Sequence, residues 1–249
     1  MDDLDSTNRF TDRASDYVRY RPTYPRAAYE AIVAGLGDPR TLIAADVGAG
    51  TGISARGLAD LGPRVIAVEP NAAMRSAAEH HPRVEWRDGT AESTGLEGAS
   101  VDVILCAQAY HWFDPERTCA EFARILRPNG RLALMWNESD TSDPVAARYV
   151  ELTETAATER VMSRRTAAST RPDVRAPFAE PRVVTVPNEQ RLDADGLIGR
   201  AMSASYVPRS GPVTDALVAG LRELHADRAD ADGLVTVRIT TWIYLTERA

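Results

Sequence analysis

Between residues 42 and 137 the chain alternates short apolar runs with amphipathic ones, and this rhythm narrows its possible folds more than any other feature. Leu42-Ile43-Ala44-Ala45-Asp46-Val47 is a compact apolar run closed by glycines, the pattern of a strand buried on both faces of a parallel sheet. Ile53 to Leu61 reads as a helix, Arg64 to Glu69 as a second strand, and Asn71 as the cap of a helix running to His80. Val84 to Trp86 and Val101 to Ala107 give a third and a fourth strand. Asp114-Pro115 sets an N-cap before a proline at the first helical position, and Cys119, Phe122, Ile125 and Leu126 share one face of the helix that follows. Pro128-Asn129-Gly130 is expected to break that helix before a fifth strand, Leu132 to Trp136. Strands and helices alternating across short loops predict an α/β fold with a doubly wound parallel sheet.

The flanks differ. Residues 1–41 read as a leader with one helix between Tyr24 and Leu36, on which Tyr29, Ile32, Val33 and Leu36 form one face before Gly35 and Gly37 end it. Beyond Asn137, residues 138–180 are polar and helical and carry Arg160, Arg164, Arg165, Arg171 and Arg175. Arg182 to Val186 is a sixth strand candidate. Leu197 to Leu224 is mostly helical, with Val213, Leu217, Leu221 and Leu224 near helical spacing. Val235, Val237, Ile239, Thr241, Ile243 and Leu245 recur with a period of two, as in a long final strand. The expected organisation is a leader over 1–41, a ligand-binding core over 42–137, and a segment over 138–249 carrying helical cap insertions and the last two strands.

Composition removes several chemistries. All 29 basic residues are arginine. Without a lysine amine no Schiff base forms on the enzyme and no P-loop can be completed. Two cysteines, Cys106 and Cys119, are too few for a four-thiolate zinc site or a disulfide scaffold. A net charge of −7 argues against bulk electrostatic binding of nucleic acid. No stretch approaches the run of about 20 apolar residues that spans a bilayer. Met1-Asp2-Asp3-Leu4-Asp5 is acidic where a signal peptide is basic and then apolar, so the expected chain is soluble and cytoplasmic, with no nucleic-acid or membrane partner.

Asp46-Val47-Gly48-Ala49-Gly50-Thr51-Gly52 lies where the first strand turns into the first helix. Glycines there let the backbone approach a ligand, and the helix N-terminus offers free amides. The dinucleotide fingerprint is G-x-G-x-x-G, whereas here the third glycine comes one residue early. Glu69, at the end of the second strand, suits a carboxylate binding a ribose diol, a device shared by nicotinamide and adenosyl cofactors.

D-V-G-A-G-T-G, then V-E-P-N-A-A-M, G-T-A-E, S-V-D-V-I and R-I-L-R-P-N-G-R-L occur in the order of the motifs of class I S-adenosylmethionine-dependent methyltransferases, and the chain resembles the small-molecule, type-11 members. The resemblance covers roughly residues 10–137; F-T-D-R-A-S-D-Y-V-R-Y-R-P-T-Y-P and A-Q-A-Y-H-W-F-D resemble one bacterial branch. It implies a Rossmann-like seven-stranded sheet whose last strand is antiparallel, with the insertions after strands five and six capping the substrate. It also implies S-adenosylmethionine as cofactor, with Gly48, Gly50 and Gly52 beneath the methionyl part and Asp46 near its amino group. Glu69 would hold the ribose hydroxyls, Asn71 and Met74 would flank the adenine, and Ala91 and Glu92 would form the adenine-edge loop. Many relatives carry aspartate before that alanine; Thr90 stands here, which leaves the backbone as the contact. Ala107 and Gln108 would end the fourth strand beside the sulfonium.

Methyl transfer to a small-molecule acceptor needs alignment more than acid–base help, and a general base only where the acceptor arrives protonated. His111, after the fourth strand, is the first candidate base, set against a reading of His111-Trp112-Phe113 as packing. Tyr206, in the second insertion beside Ser203 and Ser205, is the second. In the leader, Tyr17, Tyr20, Arg21 and Tyr24 are placed to close over cofactor or substrate, and Arg21 suits a carboxylate, against a reading as a surface strap. The cap arginines suit an acidic acceptor, or else form a solvated helix face. His80-His81 reads as a solvated pair at a helix end, Cys106 and Cys119 as core, and no ligand spacing predicts a metal. Two rivals stand beside this reading. One is a nicotinamide oxidoreductase, which would share Glu69 and the sheet but lacks its third glycine and its tyrosine–lysine pair here. The other is a member that uses the adenosyl pocket for binding, lyase or cyclisation chemistry. An RNA or protein methyltransferase is a substrate-class alternative. Acceptor atom and oligomeric state are open at this level.

Overall fold

The computed structural model describes residues 19–157, 172–204 and 207–248. Strands β1 (Ile43–Val47), β2 (Arg64–Val68), β3 (Val84–Arg87), β4 (Val101–Ala107), β5 (Leu126–Ser139), β6 (Arg182–Leu192) and β7 (Val235–Glu247) form one seven-stranded sheet in the order β3-β2-β1-β4-β5-β7-β6. The β3-β2-β1-β4-β5 neighbours pair in parallel, and β7 runs antiparallel to both β5 and β6. The doubly wound sheet with an antiparallel last strand is therefore the observed architecture.

Period-two alternation divides the strand side chains between two cores. Ile104, Leu134 and Trp136 join Val47 and Phe122 on one face, while their neighbours Leu105 and Met135 join Ile32, Leu58 and Val65 on the other. Helices α1 (Arg26–Val33), α2 (Ile53–Ala59), α3 (Ala72–Ser76) and α4 (Pro115–Ile125) flank this sheet, and α5 (Pro144–Thr155), α6 (Ala194–Met202) and α7 (Pro212–Arg228) build a third cluster around Ala146, Leu197, Leu221 and Val237. The Asp114 carboxylate caps α4 through the Arg117 amide at 3.0 Å, as its sequence context predicts. Arg131 on β5 reaches through the core to α1 and donates to the carbonyls of Ile32 and Ala34 at 3.0 and 2.8 Å, while its Nε binds Glu247 at 2.8 Å.

Several boundaries differ from the sequence expectation. Pro128-Asn129-Gly130 interrupts no helix: α4 has ended at Ile125, and the triplet bulges within β5, whose pairing with β4 steps from Val101↔Leu126 to Val103↔Arg131. Asn129 adopts φ +64°, and the Arg127 guanidinium grips the Asp102 carboxylate at 2.9 and 3.0 Å across the bulge. Helix α3 stops at Ser76 rather than His80, because the chain must turn into β3, where the Val84 amide closes on the His81 carbonyl at 3.1 Å. Strand β6 extends to Leu192, pairing with β7 along its whole length; as an edge strand it presents mostly polar, exposed residues and tolerates Pro187. The 197–224 segment is two helices, and Val213, 50% exposed, lies in the first turn of α7 outside the cluster that buries Leu217, Leu221 and Leu224. Among the described residues no helix is long and apolar enough to cross a membrane.

Candidate cofactor site

The carboxyl ends of β2, β1 and β4 meet at one edge of the sheet, where ligands of open α/β sheets bind. The turn from β1 to α2 holds Gly48, Gly50 and Gly52 at φ +72°, +58° and +79°, a left-handed conformation that penalises any side chain. Space is also scarce. A Cβ on Gly48 would lie 2.7 Å from the Ala109 methyl and 2.9 Å from the Phe113 ring, and one on Gly52 would lie 2.9 Å from the Trp86 ring. The amides of Gly48 and Ala49 both donate to the Val68 carbonyl, at 2.9 and 3.2 Å, which ties the turn to the end of β2.

Glu69 follows β2 directly and is 8% exposed. Its Oε2 accepts from the Gly50 amide and its Oε1 from the Asn71 amide, each at 2.9 Å. Burial raises its pKa and these two amides oppose the rise. The Asn71 side chain caps α3, accepting from the amides of Ala73 and Met74 at 2.9 and 3.2 Å. Met74 is buried, and its Cε lies 3.4 Å from where a Gly50 Cβ would stand. On the next loop Thr90 is exposed and exchanges backbone hydrogen bonds with Ser93, Ala91 is buried, and the Glu92 carboxylate accepts from the Asp114 amide at 3.0 Å, tying this loop to the start of α4.

Asp46, fully buried on β1, accepts the Ser54 hydroxyl on Oδ2 at 2.7 Å. Its Oδ1 is buried without a hydrogen bond among the described residues. Burial pushes this carboxyl up to about 7; the Ser54 bond opposes that, and the neighbouring Glu69 charge adds to it.

At the end of β4, Ala107 leads into Gln108, which adopts φ +56° although it is not glycine. Such strain persists only where surrounding bonds enforce it. Here the Gln108 amide donates to the Met135 carbonyl at 2.9 Å and its Nε2 donates to the Asn137 carbonyl at 3.1 Å. His111 follows on a short 3-10 turn (Tyr110–Trp112), half-buried, its ring centroid 4.8 Å from that of Trp112. The flanking Ala109 and Phe113 are the side chains against Gly48, so the turn packs directly on the glycine loop. Cys106 and Cys119 are both buried free thiols, and burial holds the Cys106 thiol well above its ordinary value.

Residues 20–24 cross this edge as a strap. Arg21, Pro22 and Tyr24 line a cavity together with Gly48, Ala49, Ile53, Gln108 and Asn137. The Tyr20 ring sits over Gly199 of α6, the Tyr20 carbonyl accepts from Gln190 Nε2 at 3.0 Å, and Arg21 reaches the Ser203 carbonyl at 3.4 Å. Leader and glycine turn thus share one cavity, and the leader in turn packs on α6. Asn137 and Ser54 were missed as site residues; the available signal for Asn137 was a polar residue at the carboxyl end of an apolar strand. Tyr17, Ser205, Tyr206 and the arginines 160, 164, 165 and 171 lie outside the described residues, while Arg175 is exposed and paired with Asp173 at 2.7 Å.

A seven-stranded sheet with its last strand antiparallel and a glycine turn beside an acid-ended second strand define the class I methyltransferase architecture. A family model described as a methyltransferase domain matches residues 45–134. A solved structure of a candidate type II methyltransferase from Anaeromyxobacter dehalogenans is 30% identical, aligning over 92% of this chain and 98% of that one with a TM-score of 0.67. An uncharacterized methyltransferase of Mycobacterium tuberculosis is 39% identical over 137 residues, 55% of each chain. A methyltransferase-like protein of Schizosaccharomyces pombe is 37% identical over 137 residues, 54% of each. The chain therefore spans about half the length of the curated relatives it matches. It belongs to the methyltransferase family.

Proposed function

We propose that the protein transfers a methyl group from S-adenosylmethionine to a small-molecule acceptor. The observation that carries this is the buried Glu69 carboxylate bonded to the Gly50 amide: the acid suited to a ribose diol and the turn suited to the methionyl chain are held together. The donor set fits the cofactor. Gly48 and Ala49 bring backbone to the cavity lining, Asp46 Oδ1 is a buried acceptor that lacks a donor among the described residues, and Arg21, also in that lining, suits a carboxylate. Bound there, the cofactor supplies an activated methyl group. Glu69 would hold the ribose, Met74 and Ala91 would supply apolar contact to the base, and Thr90 and Glu92 would reach it through their backbone.

The chain's remaining contribution is alignment and exclusion of water. The strap of residues 20–24 roofs the cavity, and the strained Gln108 fixes the β4 end against it. His111, on the turn packed against the glycine loop, is the candidate to take a proton from an acceptor that arrives protonated, and Tyr206 is a second candidate. An acceptor bearing a carboxylate suits a chain whose cations are all arginine. The experiment is transfer of labelled methyl from S-adenosylmethionine to a panel of carboxylic acids, phenols and amines. Label in at least one small product supports the reading. Cofactor turnover without methylated product would favour lyase or cyclisation chemistry instead.

A further inference from the structure

We infer that Asn137 is a positioning residue that latches the strap over the cofactor cavity and couples it to the strained end of β4; this rests on the cavity being the cofactor's. Asn137 sits near the end of β5, is 7% exposed and lines the cavity. Its Nδ2 donates to the Thr23 carbonyl at 3.1 Å. Its Oδ1 accepts the Thr241 hydroxyl at 2.6 Å and Asn188 Nδ2 at 3.3 Å. Its own carbonyl accepts from Gln108 Nε2 at 3.1 Å. One residue therefore holds the strap, both strands of the antiparallel extension and the left-handed Gln108.

Only an amide performs this. Oδ1 faces two donors and Nδ2 faces a carbonyl, so the side chain must accept on one side and donate on the other. An aspartate keeps the bond from Thr241 but sets a carboxylate against the Thr23 carbonyl, and a leucine forfeits both. The strap side is pre-shaped for a single grip. Thr23 lies between Pro22 and Tyr24-Pro25, where proline restricts the backbone, and its carbonyl also receives Asn188 Nδ2 at 2.9 Å. Two amides, from the strands on either side of β7, thus hold one strap carbonyl. The side chains that the strap carries to the cavity, Arg21 and Tyr24, flank that carbonyl in sequence.

The role predicts a specific kinetic signature. Release of cofactor from a roofed cavity requires the roof to lift, so weakening the latch raises the dissociation rate. Asn137→Asp should release S-adenosylhomocysteine about tenfold faster, the scale of one lost buried hydrogen bond plus an opposed acceptor, and Asn188→Ala about threefold faster. Hydrogen exchange over peptides spanning residues 19–26 should quicken in both variants, with and without the ligand. Asn188→Ala leaves the Asn137 amide in place and guards against a variant that merely unfolds. Unchanged exchange in the strap of the ligand-free protein, for both variants, overturns the latch whatever the cavity binds. Quickened exchange with unchanged dissociation overturns its coupling to the ligand. A wild-type chain that binds no S-adenosylhomocysteine counts instead against the proposed function, and the ligand-free exchange then decides the latch alone.

Discussion

The Glu69 carboxylate accepts the Gly50 amide at 2.9 Å, so the residue that ends the second strand also holds the turn that follows the first. Its other oxygen accepts the Asn71 amide, also at 2.9 Å, which fixes the entry to α3. A single buried acid thereby sets the spacing between two halves of the cavity edge before any ligand arrives. Preorganisation of this kind removes ordering cost from binding.

Gly48→Ala should damage both fold and site. The position needs φ +72°, and the new methyl would meet Ala109 at 2.7 Å and Phe113 at 2.9 Å. Strain and overpacking together are expected to cost ~2–4 kcal/mol. Urea unfolding checks this, with Gly35→Ala as the comparison: there φ is +82° but the methyl would point into open space, so only the backbone strain should register.

Arg131→Met should lower stability by ~2 kcal/mol while leaving the sheet intact, because the carbonyls of Ile32 and Ala34 lose their donor at the end of α1. The shift in urea midpoint measures it. A midpoint equal to wild type would show that water replaces the guanidinium at no cost.

Asp46 makes the ligand-free protein sensitive to pH. Its folded pKa is raised to about 7 from an ordinary 3.8, so between those values the folded chain binds a proton that the unfolded chain has lost. Stability from this group is therefore full below about pH 4, falls as pH rises toward 7, and levels off above it. Asp46→Asn should flatten that part of the profile and leave the protein the more stable above pH 7. Thermal melts from pH 4 to 8 test this, and parallel profiles for the two proteins would contradict it.

His111→Ala separates chemistry from packing. A proton-accepting role predicts kcat lower by about 100-fold with S-adenosylhomocysteine affinity unchanged. A role confined to packing on Trp112 and the glycine loop predicts an unchanged kcat.

The α/β rhythm was readable because parallel strands buried on both faces leave unbroken apolar runs, as Val103–Ala107 does. Strand β6 was half-readable: an edge strand is solvated, so only Arg182 to Val186 carried a β-rich signal and the polar remainder, through Leu192, did not. The Pro128-Asn129-Gly130 triplet misled because turn residues mark a bulge as readily as a helix end. The glycine turn and Glu69 were legible since backbone geometry and a lone acid at a strand end are local facts. The Asn137 junction was not, because Thr23, Gln108, Asn188 and Thr241 are distant in sequence and only the topology gathers them.

The central claim is that this sheet edge binds the adenosyl cofactor through Glu69, and titration calorimetry with S-adenosylhomocysteine tests it most directly. Wild-type protein should bind one equivalent, and Glu69→Gln, which keeps an acceptor for the Gly50 amide but removes the charge, should bind about 10- to 100-fold more weakly. No heat from the wild type, or equal affinity in the variant, would contradict the account.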